Sequence, residues 1–103
     1  MQEISKRFST HENAIIEIYG RMGTLQGTMK NLSQSGCFVE LTKGEYIPKE
    51  GDCVQITISL KSVNRTRVIT GQVVWNKGLG FGITFVKKED IVKKMLNRYQ
   101  IDS

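Results

Sequence analysis

The chain has 103 residues, 39% hydrophobic and 24% charged, which predicts one globular domain with a core of its own and excludes a disordered or staple-dependent polypeptide. Fifteen Lys and Arg against ten Asp and Glu leave a formal charge of +5, a balance that admits an anionic partner without specifying one. No apolar run exceeds three residues, Ala14-Ile15-Ile16 and Val73-Val74-Trp75 being examples, so neither membrane insertion nor a signal peptide is expected and a cytoplasmic protein is predicted.

In chain order, residues 1–10 lack periodicity and read as a flexible N-terminal arm, carrying the basic pair Lys6-Arg7 at its end. Residues 11–103 read as a barrel with a C-terminal helix. Ala14, Ile16 and Ile18 alternate with Ile15, Glu17 and Tyr19, and Leu25, Gly27 and Met29 with Gln26, Thr28 and Lys30, predicting two antiparallel strands joined through Gly20–Gly23. Cys37, Val39 and Leu41 extend the pattern into a third strand. A loop from Thr42 to Asp52 follows, with the chain's one proline, Pro48. Val54, Ile56, Ile58 and Leu60 form the fourth strand, and the stretch Lys61–Thr66 turns it round. Arg67–Trp75 is the fifth strand, with Ile69, Gly71, Val73 and Trp75 sharing a face and Gly71 marking a bulge or bend. After a turn at Asn76–Gly78, Phe81, Ile83 and Phe85 form the sixth, where Gly80 and Gly82 leave room for curvature or close backbone approach.

At Lys87 the period changes to that of a helix, with Ile91, Val92, Met95, Leu96 and Tyr99 opposite Lys93, Lys94, Asn97 and Arg98. Six short strands at hairpin spacing with one terminal helix predict an all-β, six-stranded antiparallel barrel. Cys37 and Cys53 fall within strands and are expected as reduced, packed thiols. One histidine and two distant cysteines make no metal site.

Between the second and third strands lies Asn31-Leu32-Ser33-Gln34-Ser35-Gly36. It is a polar turn whose Asn and Ser side chains can hold local backbone or present hydrogen-bonding groups, with Gly36 supplying backbone freedom. Asn31, Ser33 and Gly36, together with Arg7 twenty-four residues upstream of Asn31, resemble the PilZ domain, a bacterial receptor module for cyclic di-GMP. The signature of that family is Arg-x-x-x-Arg near the N-terminus, then Asp/Asn-x-Ser-x-x-Gly. The second half is complete here. The first departs from the pattern: four residues beyond Arg7 stands His11, and four beyond Lys6 stands Thr10. The resemblance runs from about Lys6 to the terminal helix and implies the PilZ-like split barrel.

By resemblance, the arm holding Arg7 folds over the nucleotide against the barrel wall, and the ligand-binding residues are Lys6, Arg7, His11, Asn31, Ser33 and Gly36. A guanidinium can fork onto guanine O6 and N7, stack on the base or pair with phosphate. Asn31 and Ser33 would hydrogen-bond a guanine edge, Gly36 would let backbone pass close by, Lys6 would add electrostatic attraction, and His11 either replaces the missing arginine or is incidental. Trp75 reads as a core or barrel-rim residue. Phe38 has three open placements: the barrel exterior, the underside of the helix, or the ligand surface.

The function expected is a cyclic di-GMP-binding regulatory adaptor of bacterial motility or surface behaviour, acting through an unidentified protein partner and needing no cofactor. The alternative is a PilZ-fold protein–protein adaptor that no longer binds nucleotide, for which the missing second arginine speaks. Nucleic acid is not expected as a partner, because the positive charge lacks interleaved surface aromatics. Nor is an enzyme expected: there is no nucleophile–base pair and no Gly-Lys-Ser/Thr phosphate loop.

Overall fold

The computed structural model describes residues 8–44, 46–60, 64–87 and 90. Six strands, β1 (Phe8–Ile18), β2 (Leu25–Leu32), β3 (Gly36–Leu41), β4 (Cys53–Leu60), β5 (Arg65–Lys77) and β6 (Gly80–Phe85), close into a barrel in the order β1-β2-β3-β6-β5-β4. Every neighbouring pair is antiparallel. Closure leaves no strand edge along the wall to recruit another chain. It also sorts the connections: the β1–β2, β3–β4 and β5–β6 links lie at one end, and the start of β1 with the β2–β3 and β4–β5 links at the other.

Alternation fills the interior as the sequence predicts. Ile16, Met29, Val39, Val54, Ile56 and Phe81 are fully buried, and Ala14, Ile58, Val73 and Ile83 nearly so, each large aliphatic contributing about 1.5–3 kcal/mol by leaving water. Cys37 and Cys53 are buried thiols among them. No helix among the described residues is long and apolar enough to cross a membrane.

Three details differ from the sequence reading. Residues 8–10, expected in the arm, already belong to β1, with Phe8 opposite Leu32 and Ser9 opposite Asn31. The irregularity in β5 lies between Val73 and Trp75 rather than at Gly71. Gly71 keeps regular register with Val54 and Phe85, and its missing side chain is required because a Cβ there would strike the Ile83 side chain and the Thr84 carbonyl. Finally, Trp75 is 42% exposed and does not share the core face of Val73. The extra residue, Val74, shifts the alternation by one, so Val73 points inward opposite Ile83 while Trp75 lies outside opposite Gly82. The helix expected over Lys87–Tyr99 lies, apart from Lys87 and Asp90, outside the described residues.

Candidate functional site

The β2–β3 turn is built on Ser33, whose side chain is buried at 6% exposure. Its Oγ donates to the Gly36 carbonyl at 3.2 Å and accepts from the backbone N–H of Ser35 at 3.3 Å and of Gly36 at 3.2 Å. The backbone N–H of Ser33 in turn donates to the Gly36 carbonyl at 2.9 Å. The hydroxyl is therefore engaged inside the turn, and Ser33 acts on the site by shaping it. Gly36 has a comparable role: a Cβ there would strike the Ile83 carbonyl, so glycine is needed for β6 to pair this closely with β3.

Asn31 follows a second irregularity, between Met29 and Asn31 in the β2–β3 ladder. Met29 points inward opposite Val39, the extra residue Lys30 intervenes, and Asn31 comes to lie opposite Phe38 on the outer face. Regular alternation counted on from Met29 would instead turn Asn31 toward the core. A third irregularity, in β1 between Ser9 and Glu12, brings Ser9 opposite Asn31. Here Thr10 Oγ1 donates to the Met29 carbonyl at 2.7 Å, tying Thr10 to β2, while the adjacent His11 is exposed. Of the two positions at which the arginine motif could be completed, His11 is the one open to solvent. Lys6 and Arg7 lie outside the described residues.

These shifts align an outer row across five strands: Ser9 opposite Asn31, Asn31 opposite Phe38, Phe38 opposite Gly82, and Gly82 opposite Trp75. The Phe38 and Trp75 rings stack with centroids 5.3 Å apart and planes inclined by 18°. Glycine is required beneath both. A Cβ at Gly80 would meet the Phe38 ring at 2.6 Å, and one at Gly82 would meet the Trp75 indole. Both rings thus cover the β6 backbone at these glycines. They border a hollow of about 340 Å³ lined also by Asn31, Cys37, Val74, Gly82 and Ile83. Beside it, Lys30 Nζ stands 3.6 Å from Glu40 Oε1, an exposed pair that contributes little to stability.

The structure therefore brings Asn31, Ser33 and Gly36 together and sets His11 two residues from Ser9, which begins the row. The aromatic pair was missed by sequence reasoning. Its available signal was the glycine pair at positions 80 and 82: outward-facing glycines two apart on a strand expose backbone that large rings can cover. Chemically, the row offers an aromatic platform at one end and a polar, turn-braced edge at the other, a combination suited to a planar heterocycle with hydrogen-bonding edges.

A family model for the PilZ domain matches residues 5–101. No curated protein matches the chain. Among solved structures, the chain is similar to the Bacillus subtilis inhibitor of motility (MotI/DgrA), with a TM-score of 0.58 and 16% identity, over 100% of this chain and 53% of that one. The chain thus spans about half the length of that protein, and at this identity the likeness concerns the fold.

Proposed function

The chain belongs to the PilZ domain family, and from that premise we propose that it is a cyclic di-GMP receptor that regulates bacterial motility or surface behaviour by associating with a partner protein in the cytoplasm. The observation that carries this reading is the outer row from Ser9 to Trp75, in which a polar turn and an aromatic platform share one strip of barrel wall. A guanine base stacks on the Phe38–Trp75 surface, a contact of roughly 1–3 kcal/mol. Asn31 hydrogen-bonds a base edge, with Ser33 and Gly36 holding the turn in place. Arg7, immediately before β1, forks onto guanine or phosphate as the arm closes, with Lys6 and His11 adding attraction. Motility as the output is supported by the solved relative, itself an inhibitor of motility.

The second reading, an adaptor without nucleotide, rests on one observation: the residues four beyond Lys6 and Arg7 are Thr10 and His11. Losing one of two forked arginine contacts removes roughly 1–3 kcal/mol. Calorimetric titration with cyclic di-GMP at physiological salt separates the two. Saturable heat supports the receptor, and absence of heat at millimolar nucleotide leaves the adaptor.

A further inference from the structure

The end of the barrel opposite the start of β1 carries a groove that the nucleotide row does not use. Two hollows adjoin there, both lined by Thr24 and Leu25. One, of about 280 Å³, reaches Ile18, Arg21, Met22 and Tyr46, and the other, of about 250 Å³, reaches Lys43. The groove thus has an apolar floor with a cation toward either end.

Both cations are positioned by the backbone. In the β1–β2 turn Gly20 and Gly23 take left-handed φ values of 85° and 92°, and the Arg21 N–H donates to the Ile18 carbonyl at 3.0 Å. This turn sets the Arg21 guanidinium over the Tyr46 ring, 3.5 Å from its centroid, and Tyr46 itself packs against the core. After β3, the Thr42 N–H donates to the Gln26 carbonyl at 2.9 Å, which ties the residue before Lys43 to β2. Stacking uses the face of a guanidinium and leaves its N–H edge, the part that forks onto a carboxylate. Neither Arg21 nor Lys43 has a carboxylate partner among the described residues. At this end Glu17 accepts from Gln55 Nε2 at 2.9 Å and Asp52 from the Lys49 N–H at 2.8 Å, and neither they nor Glu50 line the groove. Glu45 lies outside the described residues. Met22, next to Arg21, is 97% exposed. Arginine, tyrosine and methionine are the residue types enriched where proteins meet, and here an oriented arginine stands without its acid.

We propose that this groove binds an extended acidic segment of the partner protein, with carboxylates on Arg21 and Lys43 and an apolar side chain between them against Ile18, Leu25 and Met22. Nucleic acid is disfavoured because Tyr46, the aromatic residue lining the groove among the described residues, is engaged by Arg21 rather than open to a base. The inference rests on the protein-association part of the proposed function and makes no use of nucleotide binding.

The test titrates the full chain, isotope-labelled on its arginine side chains and methionine methyls, with the end-capped pentapeptide aspartate–serine–leucine–serine–aspartate, followed by NMR. In an extended chain its leucine and both carboxylates share one face. Controls are the same peptide with asparagine for aspartate, inorganic phosphate, and cyclic di-GMP. Expected are saturable shifts of the Arg21 Nε–H and Met22 methyl resonances, with affinity falling at least about tenfold for the asparagine peptide and in Arg21→Gln, and by less in Lys43→Gln. Unchanged dispersion of the strand amides shows that both variants are folded. No shift at millimolar peptide, equal affinity for the asparagine peptide or in Arg21→Gln, equal shifts with phosphate or cyclic di-GMP, or binding only in Glu45→Gln, where the chain's own carboxylate would be the acid on Arg21, would each overturn the proposal. Association is read separately, by photo-cross-linking in native cells from a benzophenone amino acid at Met22 or at Val68, which is 60% exposed on β5. Adducts from position 22 that Arg21→Gln diminishes support the groove. Adducts from position 68 alone, or undiminished in Arg21→Gln, remove the groove and leave association standing, and no adduct from either position removes both.

Discussion

At the scale of single residues, the β2–β3 turn and the start of β1 allow stability to be tested apart from the proposed recognition. Ser33→Ala removes a hydroxyl that both donates and accepts within the buried turn and should cost about 1–3 kcal/mol, lowering the melting temperature by roughly 4–8 °C per kcal/mol in a domain of this size. Asn31→Ala, at the half-buried edge of the hollow, should, if the receptor reading holds, reduce affinity for cyclic di-GMP by more than any loss of stability accounts for. Thermal denaturation and calorimetry run on both variants check the separation, and equal losses of stability would assign Asn31 to the turn. The start of β1 gives the sharper test. His11 is exposed, whereas Thr10 is tied to the Met29 carbonyl. His11→Arg should therefore strengthen cyclic di-GMP binding by about 5- to 150-fold, the equivalent of one forked contact of roughly 1–3 kcal/mol. Thr10→Arg should weaken folding at the β1 irregularity without that gain, and Arg7→Ala should cost at least about tenfold in affinity. A gain from Thr10→Arg and none from His11→Arg would reverse the assignment.

At the scale of elements, strand number and interior faces were legible because burial imposes a period of two wherever one face meets a core. Ala14, Ile16 and Ile18, like Val54, Ile56 and Ile58, sit where their alternation puts them. The candidate site was less legible because it depends on three register shifts, in β1, β2 and β5. A bulge adds one residue relative to the partner strand, so it is set by the ladder and leaves little local mark. Lys30 and Val74 carry no glycine signature, and counting by twos past Val73 sent Trp75 to the wrong face. Gly80 and Gly82 announced close approach, but not that the approaching groups are aromatic rings. This yields a prediction specific to β6. Gly82→Ala inserts a methyl where the Trp75 indole lies and should lift the ring off the wall, altering tryptophan fluorescence and lowering nucleotide affinity while Trp75 itself is retained. Trp75→Ala should cost roughly 1–3 kcal/mol in binding, the scale of one base–aromatic stack, with a small change in melting because the side chain is already 42% exposed. If Gly82→Ala leaves both fluorescence and affinity at parental values, the flat indole is not the platform.

At the scale of the whole molecule, the closed barrel sets the row from Ser9 to Trp75 apart from the outer face of β1, β4 and β5. The row crosses β1, β2, β3, β6 and β5, and the outer face through Ile15, Thr57 and Val68 crosses β1, β4 and β5. Strands β1 and β5 therefore belong to both, His11 and Ile15 standing on one and Val68 and Trp75 on the other. Any ligand that binds the folded barrel and not the unfolded chain stabilises it by mass action, by about 2.7 kcal/mol at a hundredfold excess over Kd. For a domain of this size that corresponds to a rise in melting temperature of roughly 10–20 °C. If the receptor reading holds, the parent chain should show this rise with cyclic di-GMP, and so should Val68→Glu, because position 68 lies on the second surface. Arg7→Ala should need a correspondingly higher nucleotide concentration to reach the same rise. If the parent shows no shift at millimolar nucleotide while His11→Arg does, the barrel has kept its aromatic and polar row and lost the cation that makes it a receptor. That outcome leaves the adaptor reading, in which the chain works by protein contact without nucleotide.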